Sequence, residues 1–236
     1  MFLDPIYMLI ILVAAGSSAI VAAMVKKRFR AASKIRIQSG LTGKQVAESI
    51  LRASDISDVK VVRHQGFLSD HYNPMTKTLA LSPDVYDGIS AASAGVAAHE
   101  VGHAIQHAEN YFPMWLRSAI VPAANIGSNL GPWLVIIGMF LGVAGGLGYT
   151  VAMLGVALFA AATLFTVVTV PVEYDASSRA KNKLLSMGIV NEGPEFKAVA
   201  GVLSAAGLTY VAAAANSIMM LLYWAARAGL LGGNRD

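Results

Sequence analysis

The chain has 236 residues, no cysteine, and little charge: only 14% of its residues are Asp, Glu, Lys or Arg. Without thiols there can be no disulfides and no thiolate metal ligands, so any metal centre must be built from nitrogen and oxygen donors. The shortage of charge argues against an ordinary water-soluble domain, because 56% of the residues are hydrophobic, more than such a domain needs. No phosphate-cradling glycine loop and no nucleic-acid motif is present. The net charge of +4 raises the question of a polyanionic partner. The basic residues, however, cluster beside the apolar runs, where orientation bias and anionic membrane lipid account for them. Membrane lipid is therefore expected as a partner, and nucleic acid is not.

Long apolar runs organise what is there. The first, about Ile6 to Val25, has no basic residue before it and is followed by Lys26-Lys27-Arg28-Phe29-Arg30. That order is the reverse of a cleavable signal peptide. It predicts a span with its N-terminus outside and Lys26 onward in the cytosol. From about Leu116 to Thr169 the only charged residue is Arg117. This stretch is long enough for two spans, with the glycine-rich 142–148 as the turn between them. Asn125, Ser128 and Asn129 fall in this region, where polar groups bond neighbouring helices or line a wet cavity; packing is the expected role, and a groove admitting membrane-embedded substrates is the functional alternative. A last apolar run, roughly Ala198 to Trp224, either crosses as a fourth span or lies against the domain.

Between about Ala31 and Arg117 charge density rises and the chain looks water-facing. Thr42-Gly43-Lys44-Gln45 reads as a capping box opening a short amphipathic helix through Val46, Ile50 and Leu51. Val59 to Arg63 and Lys77 to Ser82 read as strands, and the turn chemistry of Asp70-His71-Tyr72-Asn73-Pro74 predicts a hairpin or meander.

The same block contains His99-Glu100-Val101-Gly102-His103. Residues four apart on a helix lie one turn above each other, so two imidazoles at this spacing can close on one ion. The glutamate beside them is placed to take a proton from water, the chemistry of a zinc hydrolase. The alternative is an ordinary core helix, but random placement gives the pattern in only roughly a few per thousand such chains. Ser90 is a candidate N-cap, and Tyr111-Phe112-Pro113 is expected to break the helix. His107 continues the spacing, but it lies about 12 Å along the axis from His99, too far to share an ion. It reads as a supporting or structural residue.

One such pair needs a third ligand, and Glu173 in Val172-Glu173-Tyr174-Asp175-Ala176-Ser177-Ser178-Arg179-Ala180 is the best candidate. It follows an apolar run ending at Pro171 and is expected near the N-terminus of a polar helix, where a carboxylate is favoured. Arg179, Lys181 and Lys183 then follow the return from the membrane. They put Glu173 on the same side as His99 by the charge rule.

Three segments together carry a resemblance: DHYNPMTKTLALSPDVYDG (70–88), GVAAHEVGHAIQH (95–107) and PVEYDASSRA (171–180). They resemble the YugP family of prokaryotic membrane zinc metallopeptidases and, more distantly, the HtpX-like and CAAX-prenyl endopeptidases, which are gluzincins. The resemblance implies Zn2+ on His99, His103 and Glu173, with Glu100 as catalytic base and a protein or peptide as substrate. Those distant relatives place an Asp four residues after the ligand glutamate, where this chain has Ser177; Asp175 is acidic but two residues away, on another face. His71, Tyr72, Arg179 and Tyr210 are candidates for stabilising an oxyanion. A site-2-type intramembrane protease and a non-catalytic zinc-containing scaffold or chaperone are the competing readings. Against the first stands the absence of its transmembrane Asp motif, and against the second the intact Glu100.

The expected fold is thus a mainly α membrane protein (α+β), with a small zincin-like domain containing a short sheet and three or four transmembrane helices. The expected division is a first span and basic flank (1–30), a cytosolic catalytic domain (31–115) and a helical hairpin (116–170). A cytosolic ligand-bearing helix (171–197) and a C-terminal apolar helix (198–236) complete it.

Overall fold

The structure is a computed structural model describing residues 4–142 and 146–230. Among the described residues it is mainly helical, with one three-stranded sheet, and four helices are long and apolar enough to cross a membrane: Pro5–Ala32 (α1), Phe112–Leu141 (α5), Leu147–Ser186 (α6) and Pro194–Arg227 (α7). The C-terminal apolar run is therefore one continuous helix of spanning length. The remaining elements are Gly43–Arg52 (α2), Lys60–Arg63 (β1), His71–Asn73 (β2), Thr78–Leu81 (β3), Pro83–Tyr86 (α3) and Ala91–Ala108 (α4).

The chain divides into two compact units. One comprises residues up to Ala19, Trp115–Val170 and the chain from Tyr210; the other comprises Ile20–Met114 and Pro171–Thr209.

The first unit is held together by small residues and a few polar pairs. A Cβ on Gly127 would fall 1.9 Å from the carbonyl oxygen of Leu158, and one on Gly155 would fall 2.6 Å from that of Gly131. Here α5 and α6 approach backbone to backbone, as apolar surroundings favour. Val135, Ala152, Val156, Tyr223 and Trp224 form its buried cluster. Asn216 donates to Ser17 Oγ at 3.1 Å, and the Thr163 and Ser217 hydroxyls meet at 2.9 Å. Asp4 accepts from Tyr223 and pairs with Arg227, joining the start of α1 to the end of α7. Among the described residues, Asn125, Ser128 and Asn129 show no bond to a neighbouring helix, contrary to the packing expectation. Ser128 and Asn129 donate to the carbonyl of Asn125 in their own helix, at 3.2 and 2.7 Å, the local back-bonding open to short polar side chains. The expected glycine turn falls between α5 and α6, with residues 143–145 outside the described ones.

In the second unit the capping box forms: Gln45 N–H donates to Thr42 Oγ1, and Thr42 N–H donates to Gln45 Oε1. Such a cap is worth about 1 kcal/mol. It starts α2, whose buried face of Val46, Ala47, Ile50 and Leu51 packs on α4. The sheet order is β1-β3-β2, with β3 parallel to β1 (Val61 opposite Leu79) and antiparallel to β2 (Tyr72 opposite Leu79). This corrects the meander. Residues 71–73 are strand rather than turn, and the hairpin turn follows them, closed by Asn73 Oδ1 accepting from the amides of Met75 and Thr76. The chain then places β3 between its two neighbours. Leu79, Ala80 and Leu81 are buried on both faces, which explains a run richer in apolar residues than strict alternation allows.

α4 is the centre of this unit. Ser90 caps it, accepting from Ser93 N–H at 3.2 Å, and nearly every residue from Ala91 to Gln106 is buried. The helix ends before the expected break. Glu109 caps it, Asn110 takes φ 52°, and Pro113 instead falls in the first turn of α5, where its missing N–H costs nothing.

Candidate metal centre

His99, Glu100 and His103 lie on adjacent turns of α4, and their helix meets α6 at Gly102. A Cβ there would be 2.6 Å from the carbonyl oxygen of Ala176, so only glycine lets the two backbones come this close. The contact brings Glu173 opposite both histidines. Glu173 Oε2 lies 3.2 Å from His99 Nε2 and 3.5 Å from His103 Nε2, and the two imidazole centroids are 4.8 Å apart at 81°. One donor atom from each of the three side chains falls within 4.8 Å of the others. Among the described residues no other trio of His, Asp or Glu gathers so closely.

Glu173 does not open a helix, contrary to expectation. Pro171 sits inside α6, which runs unbroken from Leu147 to Ser186. Proline removes one helical hydrogen bond, but its fixed φ is helical, and a long packed helix can absorb the loss. The carboxylate is therefore placed by α4–α6 packing and owes nothing to a helix N-terminus. It is 2% exposed, a burial that a carboxylate tolerates only with partners.

Each histidine is oriented by a further bond on its other ring nitrogen. His99 Nδ1 lies 3.1 Å from Ser177 Oγ, and His103 Nδ1 lies 3.0 Å from Gln106 Oε1. Both Nε2 atoms are thereby turned toward Glu173. Burial alone would push the His103 imidazole below its ordinary value. The hydrogen bond to Glu173 and the negative charges of Glu100 and Glu173 outweigh burial and raise it. Two imidazole nitrogens and a carboxylate oxygen, pre-aimed at one point, are a donor set that zinc accepts, with a coordination position left over. The residues present fit a zinc ion.

Glu100 is 8% exposed and close enough for its charge to act on His103. Ser177, at the position where distant relatives have Asp, is the partner of His99. Asp175 does turn away from Glu173, as its spacing suggested, and accepts instead from Gln106 Nε2 at 2.8 Å and Arg179 Nε at 2.6 Å. Gln106 was missed in the sequence. Its signal was the three-residue spacing from His103, which puts both on one helix face.

The oxyanion candidates separate. Arg179 is committed to Asp175 and Glu109, each at 2.6 Å. The Tyr72 hydroxyl is 2.9 Å from His107 Nδ1, so His107 ties β2 to α4 in the supporting role expected of it. His71 Nδ1 donates to the carbonyl of Ser69 at 2.9 Å. Tyr210 lies on α7.

Comparison with known proteins shows the family. Residues 7–229 match the family described as "Putative neutral zinc metallopeptidase". The chain is 44% identical over 198 residues to the "Putative membrane protease YugP" of Bacillus subtilis (strain 168), covering 84% of this chain and 85% of that relative. No solved structure matches. Two histidines and a glutamate gathered by α4 and α6, in a chain matched over nearly its whole length, lead to one conclusion: the chain belongs to this zinc metallopeptidase family.

Proposed function

We propose that the chain is a membrane-integral endopeptidase of gluzincin type. In this reading His99, His103 and Glu173 hold zinc and Glu100 is the general base. The observation that carries it is the convergence of those three donors within 4.8 Å of one another, with Glu100 on the intervening turn.

Zinc, when bound, supplies a Lewis acid that acidifies water and polarises a carbonyl. Glu100 takes a proton from the attacking water as the water oxygen bonds to the carbonyl carbon. It then delivers that proton to the amide nitrogen as the C–N bond breaks, leaving a carboxylic acid and an amine with no covalent enzyme intermediate.

The sheet supports a way of positioning substrate. β2 is an edge strand packed against α4, so an extended segment pairing with its open side would lie along the helix that carries the histidines, largely independent of sequence. Protein or peptide segments are the substrate class, and damaged membrane proteins suit an enzyme with spanning helices. The cytosolic face is supported by Lys26, Lys27, Arg28 and Arg30 at the end of α1 and by Arg179, Lys181 and Lys183 in α6.

The test is cleavage of an unfolded reporter by detergent-purified, zinc-loaded protein, comparing wild type with Glu100→Gln at equal metal content. A loss of about 10²–10⁴-fold in the variant is expected. Equal cleavage by both would remove Glu100 from the chemistry and the peptidase reading with it.

A further inference from the structure

We propose that Gln106 is a positioning residue of the metal centre, fixing the tautomer of His103 and joining the helix of the histidines to the helix of Glu173 before a metal arrives. The inference rests on the metal-binding reading above and adds a residue to it.

The orientation of the Gln106 amide is determined by its surroundings. Its Nε2 lies 2.8 Å from the carbonyl oxygen of Val172 and 2.8 Å from Asp175 Oδ2. Both are acceptors, so the NH2 end must face α6 and donate to them. Oε1 is then left 3.0 Å from His103 Nδ1 and can only accept. His103 must therefore have its proton on Nδ1, with Nε2 free to bind a metal. No other tautomer satisfies the three contacts at once.

Gln106 is 0% exposed, so breaking any one of these bonds would strand a buried polar group. The side chain spans the α4–α6 seam with one end on a ligand histidine and the other on the carbonyl of Val172, adjacent in sequence to Glu173. Asp175 continues the chain of contacts to Arg179, and Arg179 continues it to Glu109 at the end of α4. The two ligand-bearing helices are thus bridged by polar contacts both at the site and about one turn beyond it.

The test uses full-length protein in detergent, stripped of metal, with Gln106→Leu as the variant and Gln106→Met as a second, whose flexible side chain can fill the slot if leucine prevents folding. Zinc affinity is measured by competition with a chromophoric chelator, the Co2+ absorption spectrum is recorded, and thermal unfolding is followed without metal. The expected result for the folded variant is a zinc Kd raised about 10–100-fold with an altered Co2+ spectrum. A purely structural role predicts a lower metal-free unfolding temperature with unchanged zinc affinity and unchanged Co2+ spectrum, and that outcome overturns the proposal. If wild type itself binds no zinc, the metal centre fails and this role fails with it. Wild-type binding matched by both variants removes Gln106 alone.

Discussion

Ser177 Oγ lies 3.1 Å from His99 Nδ1, so a hydroxyl occupies the place beside this histidine where a carboxylate would make the imidazole more basic. A neutral acceptor fixes the ring without adding negative charge. Ser177→Ala is expected to weaken zinc binding about tenfold, and Ser177→Asp to strengthen it. Chelator competition on the purified protein reads both. Affinity unchanged in both variants would mean that the hydroxyl does not orient His99.

Gly102 has no room for a side chain. With a Cβ 2.6 Å from the carbonyl oxygen of Ala176 and 3.1 Å from its Cα, Gly102→Ala must part α4 from α6. A cost of about 1–3 kcal/mol is expected from such overpacking, seen as a lower metal-free unfolding temperature, together with weaker zinc binding as Glu173 draws back. Gly16→Ala is the control, because nothing lies within 4 Å of that position. Equal effects of the two substitutions would contradict the close approach.

The raised pKa of His103 sets a pH dependence. Without metal, the protonated form persists above the ordinary histidine value of 6.5. Zinc must displace that proton, so affinity falls as pH drops through a window that begins above 6.5. Stability of the metal-free protein has the opposite slope: the contribution of the His103 ion pairs is complete below the unfolded-state pKa and disappears as pH rises through the folded one. Glu100→Gln removes one of the charges that raise His103, so its zinc-binding midpoint should move to lower pH. A zinc titration series from about pH 5.5 to about 8.5 would show it. An unmoved midpoint would deny the coupling.

The absence of cysteine makes orientation easy to test. Met75, 91% exposed at the β2–β3 turn, and Leu230, just beyond α7, can each be replaced by a single cysteine on a thiol-free background. A cytosolic site predicts that an impermeant thiol reagent reaches the residue-230 thiol in intact cells and the residue-75 thiol only after permeabilisation. The reverse pattern would place the site outside.

Features written in local chemistry were legible in the sequence. The Thr42–Gln45 box and the Ser90 cap are contacts between residues three apart, and His99 and His103 need only helical spacing to face together. The apolar runs also resolved into helices of spanning length. What could not be read depends on partners distant in the chain. Pro171 looks like a helix boundary until the continuous α6 is seen, and Glu173 reaches the histidines because Gly102 admits Ala176, which no spacing rule records. β3 looks like the second arm of a simple hairpin with β1. Its actual place between β1 and β2 follows from burial on both faces, and a three-residue strand such as β2 is too short to announce itself. Gln106 stands on the histidine face in plain view, but its role needs Val172 and Asp175 from another helix.

His99-Glu100-Val101-Gly102-His103 is usually written with two blanks, as though any pair of residues could stand between the glutamate and the second histidine. In this chain neither blank is open. Val101 is wholly buried in the core, and Gly102 touches the neighbouring backbone. A library randomised at those two positions should return a narrow set of survivors, so in this chain the histidine motif and the packing signature are the same five letters.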